Sequence, residues 1–154
     1  MPRIIEGAVS GSGVRLAIAA SRFNSHVVES LLAGALDALQ RHHTDPQAIT
    51  IVRVPGAWEL PLVVRRLAMS KAYDAIIALG CLIRGETPHF DFIANENAKG
   101  LAQAMLESGV PVSNGVLTCD TMEQALARAG LKGGNKGADA ALAALEMVDV
   151  LRRL

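Results

Sequence analysis

The chain has 154 residues, 51% of them apolar and 19% charged, with 15 basic and 15 acidic side chains and a formal net charge of zero. That length fits one domain, taken as residues 1–154. Balanced charge argues against nucleic acid or an anionic membrane as the main partner, since both attract a basic excess. Sparse charge with a mean hydropathy of +0.30 leaves apolar surface for other subunits to cover, so a homo-oligomer is expected.

In chain order, Met1-Pro2-Arg3-Ile4-Ile5-Glu6-Gly7 contains no apolar run of signal-peptide length. No stretch approaches the roughly 20 apolar residues that span a bilayer. Ile4 and Ile5 are candidates for an added edge strand, in this sheet or in a neighbouring subunit's. Val14–Ala20 reads as a strand, and Ser25–His42 as a helix with Val28, Leu31, Leu32, Ala35, Leu36 and Leu39 at helical spacing. Ile49–Val54 is β-branched and strand-like, and Glu59–Met69 follows as a helix that tolerates Pro61 in its first turn. Ala75–Gly80 leads through a glycine-containing loop into a helix over Pro88–Ser108. Val112–Thr118 is the last strand. A helix over Met122–Ala129 follows, opened by the capping-box pair Thr121 and Gln124. A glycine-rich turn, Gly130–Gly137, precedes a final helix, Ala138–Leu154.

This alternation predicts an α/β fold, a three-layer sandwich of four parallel strands with helices on both faces. Near-continuous apolar strands agree with a sheet covered on both sides. Ligands of such sheets bind outside the carboxyl ends of the strands, so the loops after each strand are where chemistry is sought.

After the first strand comes Ser21-Arg22-Phe23-Asn24. Asn24 or Ser25 can cap the next helix. Phe23, an aromatic in a polar loop, suits either stacking on a flat heterocycle or plain packing. After the second strand, Pro55-Gly56-Ala57-Trp58-Glu59 lets backbone amides approach a ligand. Glu59 there serves either as a helix-start carboxylate or as an acceptor for hydroxyls of a polyol. Trp58 suits core or subunit interface equally. After the third strand, Thr87 is placed as N-cap and Pro88 as first helical residue, so orphan amides near Gly85, Glu86 and Thr87 could seat an anion such as phosphate. His89 falls in the first helical turn, where the helix dipole favours the neutral imidazole needed for proton transfer at neutral pH.

His42 and His43 read as a solvated helix end and His26 as part of a helix start. Arg128 gains a role only if a neighbouring loop brings an anion to it. Within Gly133-Gly134-Asn135-Lys136-Gly137, Lys136 is a candidate second cation. Cys81 and Cys119 each end an apolar run and are read as small buried hydrophobes of a reducing compartment, which places the protein in the cytoplasm. Neither dinucleotide nor P-loop glycine spacing occurs, so a nucleotide cofactor has no support from those motifs, and no metal-type repeat is present.

Together these loops resemble the 6,7-dimethyl-8-ribityllumazine synthases of riboflavin biosynthesis. The likeness runs from Glu6-Gly7 to the final helix. It is carried by Ser21-Arg22-Phe23-Asn24, Val54-Pro55-Gly56-Ala57-Trp58-Glu59-Leu60-Pro61, Ile83-Arg84-Gly85-Glu86-Thr87-Pro88-His89-Phe90-Asp91 and Gly134-Asn135-Lys136-Gly137, in that order. It implies condensation of 5-amino-6-(D-ribitylamino)uracil with 3,4-dihydroxy-2-butanone 4-phosphate, without cofactor or metal. It further implies that Phe23 stacks on the pyrimidine and that Ala57, Trp58 and Glu59 contact the ribityl chain. Backbone around Cys81, Leu82 and Ile83 would read the heterocycle's polar edge. Amides of Glu86 and Thr87, with Arg128, would hold the phosphate, and His89 would donate the proton.

Asn114 stands where many relatives carry phenylalanine, and Ala57 replaces a serine seen in some. The resemblance also implies pentamers with active sites between subunits, so that Phe23, Glu59 and His89 would face Asn114 and Arg128 of the adjacent chain. The short turn before the last helix resembles that of members forming icosahedral shells of 60 chains, which can enclose riboflavin synthase. A non-catalytic lumazine- or flavin-binding module would not need His89 and Arg128 together, and a purely structural shell protein would make no lumazine from the two substrates. A flavodoxin-like electron carrier would want a Ser/Thr-rich loop after the first strand.

Overall fold

The computed structural model describes residues 1–154. Four strands, β1 (Leu16–Ser21), β2 (Ile49–Val54), β3 (Ala75–Ile83) and β4 (Val112–Cys119), form one sheet in the order β2-β1-β3-β4. Every pairing is parallel, with Leu16 opposite both Ile49 and Ala75, and Ile76 opposite Val112. Five helices, α1 (Ser25–Arg41), α2 (Leu60–Met69), α3 (His89–Ser108), α4 (Met122–Arg128) and α5 (Lys136–Arg153), complete the expected three layers. The strand order is flavodoxin-like, with its switch point between β1 and β3.

Strand alternation divides the core. Leu16, Ile18 and Ala20 of β1, with Ile77 and Leu79 of β3, pack against α1, α4 and α5. Ala17, Ala19, Ile76 and Ala78 point the other way, against Leu60, Val64 and Ala68 of α2 and Leu101 and Ala104 of α3. A period of two sends neighbouring side chains to opposite faces, so one short apolar strand feeds both cores.

Boundaries move at several predicted ends. β3 runs on to Ile83 because Leu82 and Ile83 still pair with Thr118 and Cys119. The final helix starts at Lys136, earlier than its apolar periodicity, because Asn135 caps it by accepting from the Gly137 and Ala138 amides at 2.8 and 3.1 Å. Thr121 does cap α4, accepting from Gln124 N at 3.1 Å, but Gln124 reaches back one residue further than the capping box requires, to Asp120 N. Residues 1–10 pair with no strand of the chain's own sheet. Ala8 N is instead held by Asp149 of α5.

Below the sheet, Asp74 gathers Arg15 and Arg152. Burial pushes its carboxyl up, but the Arg15 hydrogen bonds and both guanidinium charges outweigh that and hold it below the usual carboxylate range.

The α1–α5 seam tolerates no side chain at Gly137, where a Cβ would overlap the Leu31 carbonyl and backbone. Gly137→Ala is therefore expected to destabilise the fold by about 2 kcal/mol or more, through overpacking against backbone that cannot yield. Denaturant unfolding measures it, and an unchanged midpoint would show that the two helices are free to part.

Candidate active site

At the carboxyl rim the β1–β2 ladder continues into the loops. Arg22 N donates to Val54 O at 2.8 Å and Phe23 N to Pro55 O at 3.0 Å. This sets Phe23 beside the Pro55-Gly56 turn with its ring 70% exposed, so it is no part of the core. Asn24 precedes α1 in the left-handed region, a conformation asparagine tolerates. Its side chain does not cap the helix, contrary to the simplest sequence reading. It crosses instead to β3, donating to Cys81 O at 2.9 Å, and so straps the first loop across the switch point.

After β2, residues Ala57–Glu59 form a single 3-10 turn before α2. Trp58 is 61% exposed, which rules out a core role and leaves ligand or subunit contact. Ala57 is buried, and its carbonyl accepts from Asn97 Nδ2 at 2.7 Å. Asn97, itself buried on α3, thereby bolts this turn to the helix that begins with His89. Glu59 keeps its Oε2 buried without a hydrogen-bond partner in the chain. Such an atom costs free energy unless a donor from outside the chain reaches it.

The third loop departs from expectation by one residue. Pro88, not Thr87, is the N-cap of α3, and no side chain caps the helix. His89 opens α3 and is exposed. The Glu86 and Thr87 amides have no acceptor within the chain, which agrees with the expected anion seat.

These three loops share one cleft of ≈ 700 Å³ at the rim. Phe23, Ala57, Trp58 and Glu59 line it on one side. Cys81, Leu82 and Ile83 form its floor, with Thr87 and His89 beyond them. Phe92 and Ile93, one turn along α3, add apolar wall that loop-by-loop reading passed over; their helical spacing from His89 was the available signal. Burial pushes the Cys81 thiol up to about 12, with Cys119 adding to it. Burial likewise raises Cys119, against the pull of Arg128. Both thiols stay protonated at neutral pH and are packing groups, not nucleophiles.

Three expected site residues lie outside the cleft. Glu86 turns its side chain to solvent, leaving only its backbone for an anion. Asn114 sits exposed in β4, with Oδ1 accepting from Val116 N. Arg128 ends α4, exposed, and donates to Gln124 O at 3.1 Å. Both belong to the β4 edge, across the sheet from the Phe23 and Glu59 loops, so within one chain neither lines the cleft. Asn135 and Lys136 of the glycine-rich turn open α5. No group of three His, Cys, Asp or Glu side chains is placed to hold a metal ion, and no helix is long and apolar enough to cross a membrane.

A parallel α/β sandwich with a ligand cleft at its switch point, offering an exposed ring, an unpartnered carboxylate and an imidazole at a helix start, defines a small-molecule enzyme. The family model described as 6,7-dimethyl-8-ribityllumazine synthase matches residues 13–152, and the chain belongs to that family. Relatives bearing the same name, from Nitratidesulfovibrio vulgaris strains DP4 and Hildenborough, are each 58% identical over 152 residues, covering 99% of this chain and 97% of theirs.

Proposed function

We propose that the protein condenses 5-amino-6-(D-ribitylamino)uracil with 3,4-dihydroxy-2-butanone 4-phosphate to give 6,7-dimethyl-8-ribityllumazine. The observation that carries this is the convergence of Phe23, the unpartnered Glu59 carboxylate and His89 on one cleft. A flat ring, a polyol and a reacting carbonyl each find a matching group there.

In this reading Phe23 stacks on the pyrimidine. Glu59 accepts hydroxyl hydrogens of the ribityl chain, beside Ala57 and Trp58. Backbone at Cys81, Leu82 and Ile83 faces the polar edge of the ring. The substrate's free amine attacks the ketone carbon, and His89 gives a proton to the departing oxygen as water leaves and the imine forms. A proton then leaves C3 to give the enamine, which expels phosphate with its C–O electron pair into a seat formed by the Glu86 and Thr87 amides and Arg128, and the C3 enol left behind becomes a ketone. The ribitylamino nitrogen closes the second ring and expels another water. The chemistry needs no change of oxidation state supplied from outside, so no cofactor or metal is assigned.

The same reading makes the enzyme a cytoplasmic homo-oligomer, with Asn114 and Arg128 reaching the neighbouring chain's cleft. Support comes from the division of site residues between two edges of one sheet and from exposed Phe23, Trp58, Leu62, Phe92 and Leu131. The resemblance to the family favours pentamers, or 60-chain shells able to enclose riboflavin synthase. The N-terminal segment, with Ile4 exposed, can add to a neighbour's sheet, where β2 presents an unpaired edge.

Purified protein given both substrates is expected to produce the fluorescent lumazine and release phosphate stoichiometrically. Binding of lumazine without turnover would instead leave a binding module, and neither would leave a shell protein.

A further inference from the structure

The loop that carries the proposed phosphate seat, residues 84–88, has no helix or strand of its own and offers amides that nothing in the chain satisfies. A loop of that kind binds an anion well only if it is already held in shape. Arg84 stands at its first position. Its backbone N donates to Cys119 O at 2.9 Å, fixing the loop's origin to the end of β4. Its guanidinium then makes three contacts at once. Nη1 reaches Asp91 in the first turn of α3 at 3.2 Å, Nε reaches Asp120 after β4 at 2.9 Å, and Cζ lies 4.6 Å over the Phe90 ring. Phe90 in turn lines the cleft.

We propose that Arg84 is a positioning residue, a clasp that closes the phosphate loop on itself and presses Phe90 into the cleft wall. The proposal rests on the phosphate seat assigned above. The Arg84–Asp91 pair joins the two ends of the loop, and the Asp120 pair ties that closed loop to the β4–α4 corner. Arg84 is not among the residues lining the cleft, so it acts through the backbone it shapes.

Stability is the wrong place to look for its effect. The side chain is 45% exposed and its partners 50% and 65%, and exposed ion pairs contribute little to folding. Pre-ordering a loop, by contrast, is read directly in the affinity of whatever the loop binds.

The test uses the assembled enzyme and inorganic phosphate as the probe, with Arg84→Met and Arg84→Lys beside the unaltered chain. Arg84→Met is expected to weaken phosphate binding by calorimetry and to raise KM for the butanone phosphate, each by about fivefold. KM for the ribitylaminouracil and Tm stay where they were. Arg84→Lys recovers only part of the loss, because an ammonium cannot fork to two carboxylates while lying flat on a ring. Unchanged phosphate affinity in Arg84→Met overturns the proposal. So does a parallel rise in both KM values with a lowered Tm, which is what general loosening would give. If the unaltered chain binds phosphate but makes no lumazine, the catalytic reading fails and the clasp is still decided by calorimetry. If it binds no phosphate, the clasp falls too.

Discussion

His89→Ala is expected to lower kcat by between about tenfold and a hundredfold, with KM for both substrates little changed. General acid–base groups contribute roughly a hundredfold to ten-thousandfold. The effect falls at or below the bottom of that range because His89 opens α3 at an exposed position, where water can substitute for the imidazole once the side chain is gone. Imine formation and ring closure each need a proton delivered to a departing oxygen, and both steps fall within reach of one group at the cleft rim. Affinity is spared because ring, polyol and phosphate are each assigned to other loops. Steady-state kinetics with each substrate varied in turn measures the effect. A wild-type kcat would remove His89 from the chemistry and pass its role to solvent or to substrate phosphate.

Arg128→Ala is the complementary case. It is expected to raise KM for the butanone phosphate by about tenfold to a hundredfold, as removal of a charge-assisted contact to a phosphate should at about 1.4 kcal/mol per factor of ten. KM for the uracil should barely move. Within its own chain the exposed Arg128 side chain makes one hydrogen bond, to Gln124 O, so its loss costs the fold little. A shared site makes a sharper claim. At butanone phosphate well below KM, His89→Ala and Arg128→Ala subunits, co-expressed, should recover activity in about a quarter of their sites by random pairing around a head-to-tail ring. Each recovered site takes its imidazole from one chain and its guanidinium from the next. Mixed particles no more active than either parent would mean that the cleft draws its phosphate ligand from a single chain, and the intersubunit reading would have to be dropped.

The strands and helices were legible because burial on both faces leaves short apolar runs and amphipathic helices leave a stripe. The spacings of Val28, Leu31, Leu32, Ala35 and Leu39 and the run Ile49–Val54 needed nothing else. Candidate site residues on loops stood out where composition conflicted with location. Phe23 is an aromatic in a polar turn, and His89 falls where a proline and a threonine announce a helix start. Other features carried no local signal. Asn24 or Ser25 was expected to cap the next helix, yet the Asn24 side chain bonds to a carbonyl 57 residues away. Asn97 looks like any polar residue in a long helix until α3 crosses the Ala57 turn. Arg84 reads as one charge in a loop until Asp91, Asp120 and Phe90 surround it.

The amino-acid order alone determined the element sequence, the single parallel sheet and the rim where ligands go, since each follows from periodicity and from the direction every strand must run. Only the tertiary structure decided that β1 lies between β2 and β3, that Glu59 keeps a buried oxygen without a partner, and that Asn114 and Arg128 stand at the far edge from the cleft. Those are distances between residues remote in the chain. Short-range patterns record which face of an element is apolar, whereas which elements meet is settled by how their side chains pack together.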